Sequence, residues 1–197
     1  LSLHDALPIS DDRSGRSISN AGDVNGDGFD DLIIGAIGTD SNGNFSGSSY
    51  AVFGKTSGFS AAMNLSNLDG SNGFRLDGAA VYDFSGSSVS SAGDVNGDGF
   101  DDIIIGAYLY NSNTGRAYIY YGGLNLNTTA DVVLTGEAAS NVFGCSVSSA
   151  GDVNGDGYSD VIVGAYGYSS NKGRAYIFYG GASMNNTADV IMTGESN

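Results

Sequence analysis

This sequence predicts an all-β fold: three consecutive four-stranded blades forming an open arc, a partial β-propeller. Three observations carry that expectation. The segment Gly-Asp-Val-Asn-Gly-Asp-Gly occurs at residues 22–28, 93–99 and 151–157. Each copy runs into a β-branched apolar stretch stopped by Gly-Ala, at 31–36, 102–107 and 160–165. Each stretch is followed by a Tyr-containing segment closed by glycine, at 47–54, 115–122 and 173–180. Short apolar runs bounded by glycine read as buried strands. The first Asp of the loop recurs after 71 residues (23 to 94) and again after 58 (94 to 152). A pattern that returns in the same context marks an array of like units.

Four strands fall in order within each repeat. The first is the alternating Ser-Val-Ser-Ser-Ala at 88–92 and 146–150, with Ser-Ile-Ser-Asn-Ala at 17–21. The second is the Ile/Val run after the loop, and the third is the Tyr-containing segment. The fourth is Asp-Val-Val-Leu-Thr-Gly at 131–136, Asp-Val-Ile-Met-Thr-Gly at 189–194 and Gly-Phe-Arg-Leu-Asp-Gly at 73–78. Four short strands joined by Gly/Asn/Ser turns make a propeller blade. The blades are set at 11–78, 79–136 and 137–197, and the Ser/Asn/Gly-rich excess of the first, residues 55–72, is a surface loop. Residues 188–197 repeat 130–137 and the approach to Asn141, so the third blade is expected to be cut where a fourth repeat begins. Residues 1–10 resemble the translation of a common short-read sequencing adapter and are expected to be non-native. They hold His4 and Pro8, the chain's one His and one Pro.

The loops carry the chemistry. Counting from the first Asp, oxygen side chains fall at positions 1, 3, 5 and 9: Asp23, Asn25, Asp27, Asp31; Asp94, Asn96, Asp98, Asp102; Asp152, Asn154, Asp156, Asp160. Ca²⁺ takes about six to eight oxygens at roughly 2.3–2.6 Å, and alternating donors on a tightly turning backbone supply them. Glycine at position 6 permits the turn that aims the next carbonyl, on Phe29, Phe100 or Tyr158, inward. Helical calcium hands share this opening but need a bidentate carboxylate at position 12. Here that position holds Ile34, Ile105 and Val163 inside a strand-like run, so the loop joins the first two strands of each blade. About three Ca²⁺ are expected, one per loop, in a structural role. Position 8 holds Asp30, Asp101 and Ser159; it lies outside the donor pattern, and Asp101→Ala is expected to be mild.

With these motifs in place, the repeats resemble the FG-GAP repeats of integrin α-subunit propellers and their bacterial relatives. The Phe-Gly half is intact at Phe143-Gly144, with Ser85-Gly86 and Ser14-Gly15 at the matching points. The Gly-Ala half stands at Gly35-Ala36, Gly106-Ala107 and Gly164-Ala165, with Ile37, Tyr108 and Tyr166 in place of the following Pro. The resemblance implies calcium hairpins on one face and strand-2-to-3 connections on an opposite, ligand-binding face. Tyr108, Tyr110, Tyr166 and Tyr168 enter those connections, where amphipathic aromatics suit a protein or glycan ligand. The alternative is that Tyr108 and Tyr166 pack between blades where the Pro is missing. A calcium-binding recognition or adhesion module of a larger extracellular or cell-surface protein is implied. An accessory propeller of a secreted enzyme, phospholipase-like for example, and a structural spacer in a large exoprotein are the other readings.

Composition narrows the classes further. The formal charge is −15, with 22 acidic residues against 7 basic, and three Ca²⁺ would bring it to −9. So acidic a chain argues against nucleic acid as a partner, and no apolar run is long enough for membrane insertion. Apart from His4 there is no imidazole, so Ser–His or Cys–His catalysis has no base, and the chain reads as non-enzymatic. Cys145 is alone, in a slot matched by Arg16 and Ser87.

Overall fold

A computed structural model describes residues 11–195; the adapter-like segment 1–10 lies outside them. Among the described residues, twelve strands form three antiparallel four-stranded sheets, each in simple sequential order. Blade 1 holds β1 (Ser14–Gly22), β2 (Asp31–Ala36), β3 (Ser48–Val52) and β4 (Gly73–Asp77). Blade 2 holds β5 (Ser88–Gly93), β6 (Asp102–Ala107), β7 (Arg116–Tyr120) and β8 (Val132–Thr135). Blade 3 holds β9 (Ser146–Gly151), β10 (Asp160–Ala165), β11 (Arg174–Phe178) and β12 (Val190–Thr193). The three sheets stand in sequence as an open arc, the partial propeller expected.

The near-continuous apolar runs of the second strands follow from this stacking. Neighbouring residues of a strand point to opposite faces, and a blade between two others buries both. Ile103 and Ile105 pack toward blade 1, beside Val24, Ile33 and Leu76. Ile104 faces blade 3, beside Val95, Val161 and Phe143. Full burial of such a side chain contributes about 1.5–3 kcal/mol, so each joint is a core in its own right.

First strands of successive blades lie side by side: Val89 N donates to Ser17 Oγ (3.1 Å), and Val147 N to Ser88 Oγ (3.0 Å). A register shift near the end of each first strand precedes the acidic loop; such bulges sharpen twist and re-aim the chain. The joints also explain the Gly-Ala motif. The α-carbon of Gly35 abuts the Gly86 carbonyl, and that of Gly106 abuts the Gly144 carbonyl, leaving no room for a Cβ. The Gly-Ala half of one repeat therefore meets the Phe-Gly half of the next.

Main-chain bonds across each joint run from the following blade's N–H to the preceding blade's C=O. At the acidic-loop end, Asp101 N donates to Asp23 O (3.2 Å) and Ser159 N to Asp94 O (3.0 Å). Gly123 N and Gly181 N donate to Val24 O and Val95 O, both at 2.8 Å. At the opposite end, Phe84 N reaches Phe45 O (3.1 Å) and Val142 N reaches Asn113 O (2.8 Å).

Candidate calcium loops and the opposite face

All three acidic loops fold alike. The position-1 carboxylate organises the turn: Asp23 Oδ1 accepts from Gly26 N (2.8 Å) and Asp27 N (3.0 Å), and Oδ2 from Gly28 N (2.9 Å). Asp94 and Asp152 accept from the matching amides at 2.7–3.1 Å. Position-6 glycines take φ of +87°, +92° and +95°, the left-handed conformation that favours this residue. At position 5, Asp27, Asp98 and Asp156 each accept the N–H two residues on, at 3.0 Å. Their second oxygens accept from the position-3 amide nitrogens of Asn25, Asn96 and Asn154, at 3.0, 2.9 and 2.8 Å.

Position 9 is the buried end of the loop. Asp31 accepts from Val24 N (3.0 Å) and Gly54 N (2.8 Å), fastening the loop to the end of β3. Asp102 does the same with Val95 N and Gly122 N, and Asp160 with Val153 N and Gly180 N. All three are fully buried. Burial, the larger cause, together with the neighbouring position-1 and position-5 carboxylates, pushes Asp31 up to about 6 and Asp102 up to about 7. The two backbone N–H bonds at each oppose that rise without cancelling it.

The donor set fits a hard cation: in each loop three carboxylates, one amide oxygen and a main-chain carbonyl, all oxygen. A carboxylate has about four lone-pair sites, so position 9 keeps capacity after its two N–H bonds. As placed, the side chains turn onto the loop's own amides, and among the described residues no group of three or more Asp, Glu, His or Cys is gathered around one point. The Asn amide and the position-7 N–H stand against the position-5 carboxylate as partial positive charges.

Two loop positions do more than the sequence suggested. The ring at position 7, expected to contribute only a carbonyl, packs across the joint: Phe100 lies on Gly26 and Tyr158 on Gly97 of the preceding loop. Position 8 corrects the expectation of a mild Asp101→Ala. Asp101 Oδ2 accepts from Asp23 N of the previous blade (2.9 Å) and lies against Gly22, so it is a tie between blades.

At the other end of the strands, the four candidate tyrosines separate. Arg116 stacks its guanidinium 3.6 Å from the Tyr110 ring centre, and Arg174 stacks 3.5 Å from that of Tyr168; both rings are covered on one side. Each stands beside a left-handed turn, Asn111-Ser112-Asn113 (φ 45°, 57°, 62°) or Ser169-Ser170-Asn171 (φ 47°, 59°, 70°). Tyr108 packs edge-on against Phe84, with centroids 6.3 Å apart, and Tyr166 is 59% exposed. Sequence reasoning missed the cluster beside Tyr108. Phe45 stacks on Phe84 (5.3 Å, 4°) and on Tyr82 (6.2 Å, 19°), and Arg13 caps Phe45 at 5.4 Å. Phe45, Tyr82 and Phe84 all have positive φ, 52°, 61° and 54°, a genuine outlier for bulky residues. Beneath them lies Asp83, buried, accepting from Ala80 N (2.9 Å). Burial pushes its carboxyl up to about 6, against the opposing pull of that N–H and of Arg116.

The FG-GAP repeat family matches residues 14–52, 85–120 and 143–178, more than half of the chain. The chain belongs to the FG-GAP repeat family. It is 33% identical to integrin alpha-6 of Gallus gallus over 146 residues, covering 73% of this chain and 12% of that protein. It is 33% identical to integrin alpha-5 of Xenopus laevis over 177 residues, 83% of this chain and 16% of that protein. Integrin alpha-2 of Bos taurus is 39% identical over 106 residues, 51% of this chain and 8% of that protein. The chain thus spans a small part of these relatives' length. Each matched FG-GAP segment runs from the start of a blade's first strand, or the residues just before it, through its third, so it contains the acidic loop. Among the described residues, no helix is long and apolar enough to cross a membrane.

Proposed function

We propose that this chain is a calcium-stabilised recognition module, a propeller segment of a larger extracellular or cell-surface protein, non-enzymatic and of the adhesion type. The observation that carries the reading is the acidic loop, repeated three times with the same donors and the same hydrogen bonds. In each, Asp at positions 1, 5 and 9, Asn at position 3 and the carbonyl at position 7 would hold one Ca²⁺. The ion would supply the countercharge that the crowded carboxylates lack. Extracellular calcium modules work at Kd of about 10⁻⁴–10⁻³ M, which fits loops this exposed. The ligand, a protein or glycan, is assigned to the face of the strand-2-to-3 connections. There Tyr82, Phe84, Tyr108 and Tyr166 present aromatic surface, and Tyr110 and Tyr168 are held by arginine.

Calorimetric titration of chelator-treated protein tests this reading. The expected result is about three Ca²⁺ per chain by the donor count, poor substitution by Mg²⁺, which demands near-ideal octahedral geometry, and loss of one site in Asp98→Ala or Asp156→Ala. No heat with Ca²⁺, or equal heat with Mg²⁺, refutes it.

A further inference from the structure

We propose that the joint between blades 1 and 2 carries a ligand site of its own, at its acidic-loop end, and that this site takes a neutral sugar ring. A cavity of about 470 Å³ opens there, within the roughly 300–1,000 Å³ usual for ligand sites. Its floor is apolar. Phe53, just past β3, and Phe74, in β4, stand with ring centres 5.8 Å apart and tilted by 56°. Leu126 reaches in beside them from the β7–β8 connection of blade 2. The rim is polar: Asp27 of the first acidic loop, Ser71 of the extra chain in blade 1, and Asn125 of blade 2. Both walls are fastened. Gly123 N donates to Val24 O (2.8 Å), Gly70 N to Gly73 O (2.9 Å) and Ser71 N to Asp69 Oδ1 (2.9 Å). A site shaped before its ligand arrives spares the cost of ordering it on binding.

The residues that shape this cavity are the ones that break the repeat. Val132 and Val190 stand where blade 1 has Phe74, and Ala182 and Ser183 stand where blade 2 has Leu124 and Asn125. Ser71 belongs to the 55–72 excess of the first blade. The joint between blades 2 and 3 packs without any of them, so packing alone does not call for them. Leu124 makes the point most plainly: it lies at the lip of the cavity and is 81% exposed.

The chemistry of the lining selects the ligand class. Among the described residues no Lys or Arg lines the cavity, and the chain carries a formal charge of −15, so an anion finds no match. Rings below and hydrogen-bonding groups at the edge suit a molecule with one apolar face and a polar perimeter. A pyranose has that form, with C–H bonds on one face and hydroxyls around its edge. The negative faces of the phenyl rings attract the C–H groups, while Asp27, Asn125 and Ser71 accept from or donate to the hydroxyls. Calcium in the first loop would engage Asp27 and leave Asn125 and Ser71 to the sugar, so the site does not depend on the ion.

Saturation-transfer NMR on the whole chain in calcium-containing buffer tests the proposal. The probes are the methyl glycosides of glucose, galactose and mannose, with methyl sialoside as a charged probe and N-acetylphenylalaninamide as an apolar one. Transfer to at least one neutral glycoside is expected, concentrated on the C–H protons of one ring face. Asn125→Trp, which plugs the cavity from an exposed position, is expected to abolish that transfer with an unchanged circular dichroism spectrum. Leu124→Ser is expected to weaken it, and Tyr166→Ala, at the opposite end of the strands, to leave it intact. The absence of transfer to every neutral glycoside overturns the proposal, and so does transfer of equal strength to the sialoside. Transfer to the apolar probe alone makes the cavity a seat for a protein side chain and overturns it too. Transfer that survives Asn125→Trp but is lost in Tyr166→Ala moves the sugar to the aromatic face, which overturns this site and leaves the recognition-module reading standing.

Discussion

Replacing one glycine at a joint with alanine separates what a blade needs locally from what its neighbour demands. Gly106 and Gly164 occupy the same point of the same motif, each followed by alanine, and each is paired to the third strand of its own sheet, with Ala117 and Ala175 respectively. Neither has a positive φ, so backbone strain does not distinguish them. A Cβ on Gly106 would lie about 1 Å inside the 3.0 Å limit that such atoms respect, and the atom it meets is the main-chain oxygen of Gly144. That oxygen belongs to a residue whose own N–H is bonded to Gly164 O at 3.0 Å, so blade 3 has to shift as a unit. Overpacking of this kind costs about 1–3 kcal/mol, and a backbone-to-backbone clash belongs at the upper end. Gly164→Ala meets nothing nearer than 3.5 Å and recovers the roughly 0.5–1 kcal/mol that glycine sacrifices in a strand. The two variants are therefore expected to differ by about 3–4 kcal/mol in urea unfolding, measured on dilute, monomeric protein. Equal midpoints would refute the joint as described.

Two further outcomes follow from two carboxylates, the half-buried Asp101 and the buried Asp83. Asp101→Ala removes the acceptor for Asp23 N and is expected to cost about 1.5–3 kcal/mol; Asp30→Ala, which loses only an exposed bond from Asn20, should stay within about 0.5 kcal/mol. Comparable melting shifts for the two variants would contradict the assignment of Asp101 as an inter-blade tie. Asp83 has its carboxyl raised to about 6 in the folded chain from an ordinary 3.8, so folding favours its protonated form. The associated stability is present below the unfolded value and is lost as pH rises between about 4 and 6. Asp83→Asn is expected to flatten that part of the stability–pH profile and to be more stable than wild type at pH 7.5, by on the order of 2 kcal/mol at about 1.4 kcal/mol per unit. Parallel profiles for wild type and variant would refute the buried-acid account.

The strands were legible because each repeat states them by short-range means: β-branched runs, glycine stops and alternation that recurs in three copies. The even burial of Ile103, Ile104 and Ile105 was legible too, since only a strand covered on both faces carries such a run. The ties between repeats were not legible. Asp101 looked idle because its partner, Asp23 N, is 78 residues away, and Phe100 looked like a carbonyl because its ring is used by another loop. The left-handed turns at 111–113 and 169–171 contain no glycine to announce them. Their Asn-Ser-Asn and Ser-Ser-Asn sequences are compatible with ordinary turns, and for L-residues the conformation costs roughly 1–2 kcal/mol each. The Phe45, Tyr82 and Phe84 stack was hidden for the same reason, since two segments nearly 40 residues apart must meet before it exists.

A unit whose front fits the back of its own copy can be multiplied without redesign. Duplicating a stretch such as 79–136 in frame places two surfaces together that are already matched, so no compensating substitution is required for the lengthened chain to pack. An insertion within a strand breaks a sheet and has no such remedy. Variation within a unit is confined to segments that leave the joints intact, and residues 55–72 show how much extra chain one such segment accommodates. Descent by whole-repeat copying is thus the path of least resistance for this architecture, and near-identical loops at 22–28, 93–99 and 151–157 are the kind of record it leaves.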